Sequence, residues 1–186
     1  MNVKEIESKL NELGIENFSI QENGTINVDG TVDISFRNLK HIPLQFGTVK
    51  GDFNCSNNEL ETLLGAPETV GVSFFCHNNR LTSLEGGPQV VKKAFVCSTN
   101  RLTQLTGAPK SVNGTFDCSN NVLPSLEGGP EAVNGPYECS NNQLTTLRGI
   151  PQFVRSVLYC TGNPIPNAVL AVFKQESKFL IIGDEN

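Results

Sequence analysis

Apolar positions along this chain recur with a long period. Between Val28 and Ile165 every unit of 21 residues repeats one arrangement, V-x-G-x-F-x-C-x-x-N-x-L-x-x-L-x-G-x-P-x-x. The valine column is Val28, Val49, Val70, Val91, Val112, Val133 and Val154. The column two before the cysteine is Val32, Phe53, Phe74, Phe95, Phe116, Tyr137 and Leu158. Leu39, Leu60, Leu81, Leu102, Leu123, Leu144 and Ile165 form a third, and Ile42, Leu63, Leu84, Leu105, Leu126 and Leu147 a fourth. A period in the twenties predicts a solenoid. Within a unit, apolar or small residues stand at every second position from the valine to the cysteine, the signature of a half-buried strand. A single such strand cannot bury its inner face alone, so successive turns must stack in parallel and share a core.

The polar columns complete the unit. Asn58, Asn79, Asn100, Asn121, Asn142 and Asn163 each follow the strand by three residues, where the chain must turn. An inward amide there can bond the backbone groups that stacking removes from water, and one per turn makes a ladder. Glycine and proline after the second leucine specify an extended return without a long helix.

These residues resemble the leucine-rich repeat. Asn58-x-Leu60-x-x-Leu63, with inward residues three and five before the asparagine, is similar to the short bacterial type of secreted effectors. Cys-Ser-Asn-Asn and Leu-Glu-Gly-Gly-Pro are similar to small leucine-rich-repeat proteins of tailed phages. The resemblance spans residues 28–166. One extra residue between the Val and Phe columns departs from the family and restores strict alternation, which predicts a strand about two residues longer. The expected fold is a β-rich solenoid of about seven turns with a parallel β-sheet on its concave face. The resemblance implies fold far more than function.

The ends read as caps. Val3, Ile6, Leu10 and Leu13 have the 3/4 spacing of an amphipathic helix, and Phe18–Val28 alternates around Asn23-Gly24, a hairpin signal. With residues 1–27 as one cap and 167–186 as the other, a helix from an Asn167 N-cap through about Lys178 is expected to bury Val169, Val172 and Phe173. The first repeat strand is expected over Val28–Ile34.

Composition changes the picture by exclusion. The net charge is −5 with a pI near 5.1, which argues against a protein that coats nucleic acid through a basic field. The longest apolar run, Ala168–Phe173, is far shorter than the roughly 18 residues of a membrane span. The first nine residues carry acids and no apolar stretch, so no secretion signal is expected and the sequons at Asn23 and Asn113 read as incidental. Six cysteines at one spacing place their thiols in one inward row, with no tetrahedral set around a point. They read as a reduced core ladder in a cytoplasmic protein, with neither metal nor cofactor. Only His41 and His77 are available for acid–base chemistry. His77 adjoins Cys76, but alternation sends the two side chains to opposite faces, so no enzyme is expected.

The outward strand positions therefore carry the functional expectation. Before each cysteine stand Asn54, Phe75, Val96, Asp117, Glu138 and Tyr159, and after it Ser56, His77, Ser98, Ser119, Ser140 and Thr161. Phe75, His77, Val96, Asp117, Glu138 and Tyr159 are the candidate partner-binding residues, since exposed aromatics beside charges mark protein contact sites. The expected function is a non-catalytic module that binds another protein, with no direct nucleic acid or membrane contact. The phage resemblance implies an inhibitor of a bacterial host or defence protein, acting in the host cytoplasm. The alternative is an acidic nucleic-acid mimic, which Lys50, Lys92 and Arg155 would offset. A homo-oligomer is left open, because Phe75 and Val96 would serve a self-contact equally well.

Overall fold

The computed structural model describes residues 1–184. The last two residues of the expected C-terminal cap, Glu185 and Asn186, lie outside them. Helix α1 (Val3–Leu13) opens the chain with a capping box: Asn2 Oδ1 accepts from Glu5 N–H, and Glu5 returns the bond to Asn2 N–H. It ends at Gly14 in the left-handed conformation. Ile6, Leu10 and Leu13 are buried as the spacing predicts, whereas Val3 is 55% exposed. The hairpin β1 (Phe18–Ile20) and β2 (Ile26–Val28) follows, paired antiparallel around Asn23-Gly24.

The repeats then build two sheets at once. In chain order the strands are β3 (Val32–Asp33), β4 (Phe46–Val49), β5 (Phe53–Asn54), β6 (Thr69–Val70), β7 (Phe74–Phe75) and β8 (Val90–Val91). They continue as β9 (Phe95–Val96), β10 (Ser111–Val112), β11 (Phe116–Asp117), β12 (Ala132–Val133), β13 (Tyr137–Glu138), β14 (Phe153–Val154) and β15 (Val157–Tyr159). Helix α2 (Asn167–Glu176) and β16 (Leu180–Ile182) close the chain. One eight-stranded sheet runs β1-β2-β4-β6-β8-β10-β12-β14 and holds the valine column. The other runs β16-β15-β13-β11-β9-β7-β5-β3 and holds the Phe and Cys columns. Apart from β1–β2, every pairing is parallel.

The single longer strand expected of each turn is thus two short ones. Bends at 50–51, 71–72, 92–93, 113–114, 134–135 and 155–156 divide them. The first strand of the repeats divides likewise: the span expected over Val28–Ile34 is the end of β2 followed by β3. Alternation survives the bend, so Val, Phe and Cys all point inward. The hydrogen-bond ladder survives as well, as in Lys50 N–H to Val28 C=O and Gly51 N–H to Gly30 C=O. The extra residue therefore supplies a change of direction.

The core lies between these sheets and the leucine returns. Phe53, Phe74, Phe95, Phe116 and Tyr137 stack in succession with ring centroids 5.7, 5.2, 5.6 and 5.1 Å apart. The Tyr137 hydroxyl is buried without a hydrogen-bond partner among the described residues. Beside the rings run the six free, buried thiols. Those of Cys55, Cys97 and Cys139 donate to the carbonyls of Phe75, Asp117 and Tyr159 in the next turn. Burial pushes every thiol up, Cys160 least, to about 11.

The asparagine ladder has the expected form. Asn121 Nδ2 donates to Cys118 C=O and Ser119 C=O in its own turn and to Cys97 C=O in the turn before. Its Oδ1 accepts from Leu102 N–H. Asn79, Asn100, Asn142 and Asn163 repeat the set. The residue before each, asparagine in four turns, Thr99 before Asn100 and Gly162 before Asn163, has a different task. Asn57, Asn78, Asn120 and Asn141 have φ near +56°, the left-handed corner that asparagine tolerates better than most residues.

The C-terminal cap departs from expectation. Asn167 is the first residue of α2, and Pro166 occupies the N-cap, because its extended backbone at ψ 139 precedes the helix. Leu170 is the buried residue of α2, while Val172 is exposed and Val169 and Phe173 are half-buried. After α2 the chain adds β16 to the edge of β15, so the cap is a helix and a strand.

Two outcomes test this core. Asn121→Asp removes the amide donors and sets a carboxylate against three carbonyls, so it should destabilise the chain by about 3 kcal/mol in urea unfolding. The same change at the exposed Asn120 should cost well under about 1 kcal/mol. Alkylation of the native protein at pH 8 should leave all six thiols unmodified except for slow reaction at Cys160, and unfolding should expose them together.

Candidate functional site

The six candidate residues share the outer face of the sheet that holds the Phe and Cys columns. Five of them form one column, fixed by pairing register: Asn54 opposite Phe75, then Val96, Asp117, Glu138 and Tyr159. His77 stands two residues along from Phe75, on the same face. All are half-buried, as outward residues of a close-stacked sheet must be.

Local chemistry divides the column into two kinds of member. Asp33, Asn54 and Asp117 each accept both the backbone N–H and the hydroxyl of the serine two residues on, with Oγ···Oδ1 distances of 2.6, 2.7 and 2.6 Å. These bonds account for Ser35, Ser56 and Ser119, whereas Ser98 stands two residues after Val96, which offers no acceptor. Where the column changes to Phe75, no such acceptor remains and the companion is His77. Its ring meets the Phe75 ring edge-on at 6.3 Å between centroids. His77 Nδ1 is buried without a hydrogen-bond partner among the described residues. Burial lowers the His77 pKa below 6.5, and the Asp117 carboxylate opposes part of that shift. Glu138 moves the other way: burial first, and then the neighbouring Asp117 charge, raise its pKa above 4.5. The centre of the face is thus an apolar and imidazole patch abutting two neighbouring acids, Asp117 and Glu138.

The cations weighed against those acids sit elsewhere. Lys50, Lys92 and Arg155 lie at the bends between the sheets, and Lys50 pairs with Asp29 at 2.7 Å. Among the described residues no group of three or more His, Cys, Asp and Glu side chains is placed to hold a metal ion. No helix among them is long and apolar enough to cross a membrane.

Two exposed residues were missed in the sequence, one that extends this face and one at a turn corner. Ile182 of β16 pairs with Tyr159 and continues the column, 38% exposed. Its offset of 23 residues from Tyr159 hides it from a search at period 21. Phe36 is 77% exposed and holds φ +54° where most other turns have asparagine, a costly conformation for an aromatic residue. Its departure from the asparagine column was the available signal.

No protein-family model matches the chain, and no curated protein does either.

His77 provides the site's pH signature. Because its folded pKa lies below the 6.5 of the free side chain, the neutral ring is favoured by folding. The associated stability is present above pH 6.5 and is lost as the pH falls through the folded pKa. A proton-NMR titration should place the His77 midpoint below 6.5, Asp117→Asn should lower it further, and Phe75→Ala, by wetting the ring, should return it toward 6.5.

Proposed function

We propose that this chain is a non-catalytic protein-binding module of the leucine-rich-repeat kind, working through the Phe75–Tyr159 face. The observation that carries the reading is the column itself: Phe75, Val96, Asp117, Glu138 and Tyr159 stand side by side on one sheet whose inner columns are locked. A preformed face loses little conformational freedom on binding, so a few aromatic anchors suffice for useful affinity. With the likeness of the Cys-Ser-Asn-Asn and Leu-Glu-Gly-Gly-Pro units to small phage proteins, the proposal extends to a virus-encoded inhibitor of a bacterial host or defence protein, acting in the host cytoplasm.

A second reading, an acidic mimic of nucleic acid, draws on the adjacency of Asp117 and Glu138 and on the placement of the three cations away from them. Ionic strength separates the two. A mimic would release its partner steeply as salt rises, whereas an apolar anchor would hold it.

The experiment is capture from bacterial lysate by the wild-type chain beside Phe75→Glu/Tyr159→Glu, after circular dichroism shows that the variant folds. A partner held by the wild type at both low and high salt and lost by the variant is the expected result. A partner retained by the variant would remove the site assignment.

A further inference from the structure

Asparagine followed by glycine occurs three times, at Asn23-Gly24, Asn113-Gly114 and Asn134-Gly135. In each pair the glycine nitrogen can close a five-membered ring on the asparagine Cγ, and glycine has no β-carbon to obstruct it. All three asparagines are exposed, so sequence and exposure rank them alike. Backbone hydrogen bonding separates them. Gly24 N–H donates to Gln21 C=O at 2.9 Å, and Asn23 Oδ1 accepts from Thr25 N–H at 3.0 Å. Gly114 N–H donates to Lys93 C=O at 3.0 Å. It is one rung of a series across the bends, in which Gly51 donates to Gly30, Val72 to Gly51 and Lys93 to Val72. The series stops at Gly114: among the described residues Gly135 N–H has no hydrogen-bond partner. A Cβ at Gly135 would stand 2.7 Å from Gly114 C and O, so the close approach of the two turns itself calls for glycine after Asn134.

We propose that Asn134 is a site of spontaneous modification, where the folded chain converts its own amide to an acid through a cyclic imide. The Gly135 nitrogen, having lost its proton to hydroxide, attacks Asn134 Cγ. The N–Cγ bond forms, the Cγ–Nδ2 bond breaks, and the amide nitrogen leaves as ammonia after taking a proton from water. Water then adds to one carbonyl of the imide and opens it to aspartate, or to the other and opens it to isoaspartate. The sum is one water consumed and one ammonia released, with no change of oxidation state. A bonded glycine N–H must first give up its carbonyl, at a cost in free energy. Of the three pairs, Asn134-Gly135 alone has no such bond to lose. The fold also accommodates the product. Asn134 and Arg155 are successive members of the column to which Asp29 and Lys50 belong, and those two pair at 2.7 Å. An acid at position 134 stands to Arg155 as Asp29 stands to Lys50, in exchange for the Asn134 Nδ2 bond to Asn113 Oδ1 at 2.9 Å. The site lies at the bends between the sheets, and the inference is independent of the Phe75 reading.

Timed incubation of the full folded chain in mildly alkaline buffer tests this, with proteolysis and mass spectrometry of the three Asn-Gly peptides. Enzymatic methylation specific for isoaspartate counts that product separately. Asn134 should convert about tenfold faster than Asn113, the rate equivalent of the one backbone hydrogen bond that separates them. Asn23 should lag as well. In urea that unfolds the chain the gap should close, because the three pairs then differ only in sequence. Asn134→Gln, whose ring would have six members, should fold as the wild type does and remove the isoaspartate signal of the folded chain. Asn23 or Asn113 converting as fast as Asn134 in the folded chain would overturn the proposal. So would an Asn134 that stays intact in the folded chain, or a lead for Asn134 that persists unchanged in urea.

Discussion

Strands of two residues cannot hold a sheet together by length, and in this chain nearly all of the repeat strands are that short. What allows them to stack is the inward asparagine at the corner of each turn. Its amide takes up carbonyls of two successive turns while its oxygen takes the N–H of the preceding turn's leucine. The backbone that leaves the sheet is thereby satisfied without water, and buried backbone polar groups left unpaired would be costly. The strict 21-residue spacing follows, since one residue more or less would carry the amide out of reach of both turns.

With the inner columns committed in this way, variation is confined to the outer ones. There the chemistry is local: an acid or amide engages the serine two residues on, and the Phe75 turn replaces both members of that pair together. The shift of His77 toward the neutral form and of Glu138 toward the protonated one share a cause, because half-burial on a close-packed face penalises charge.

Most of the architecture was legible because it repeats. The Val, Phe, Cys, Asn and Leu columns, the hairpin at Asn23-Gly24 and the helix through Ile6 and Leu10 all follow from period and alternation. The division of each strand into two was not legible, because alternation is blind to direction and a bend preserves it. The role of Asn57 and its equivalents was hidden too, since two adjacent asparagines look alike until one is left-handed and the other inward. At the C-terminal end the period fails. β16 joins at an offset of 23, and Pro166, whose ψ is already extended, takes the cap position in place of Asn167. Within the candidate site, the column before the cysteine was readable from spacing alone. Its serine companions required knowing which acceptors they face.

Each inward asparagine bonds only its own turn and the one before, and that locality makes the protein a ruler. Inserting or deleting a whole 21-residue unit leaves every remaining bond in place and changes the stack by one strand spacing, about 4.8 Å. Phe75 and Tyr159 would then move apart or together in steps of that size, with no adjustment of the core. In such a scaffold, duplication and loss of whole units set the distance between anchors, while point substitutions set their chemistry. The two kinds of change act independently.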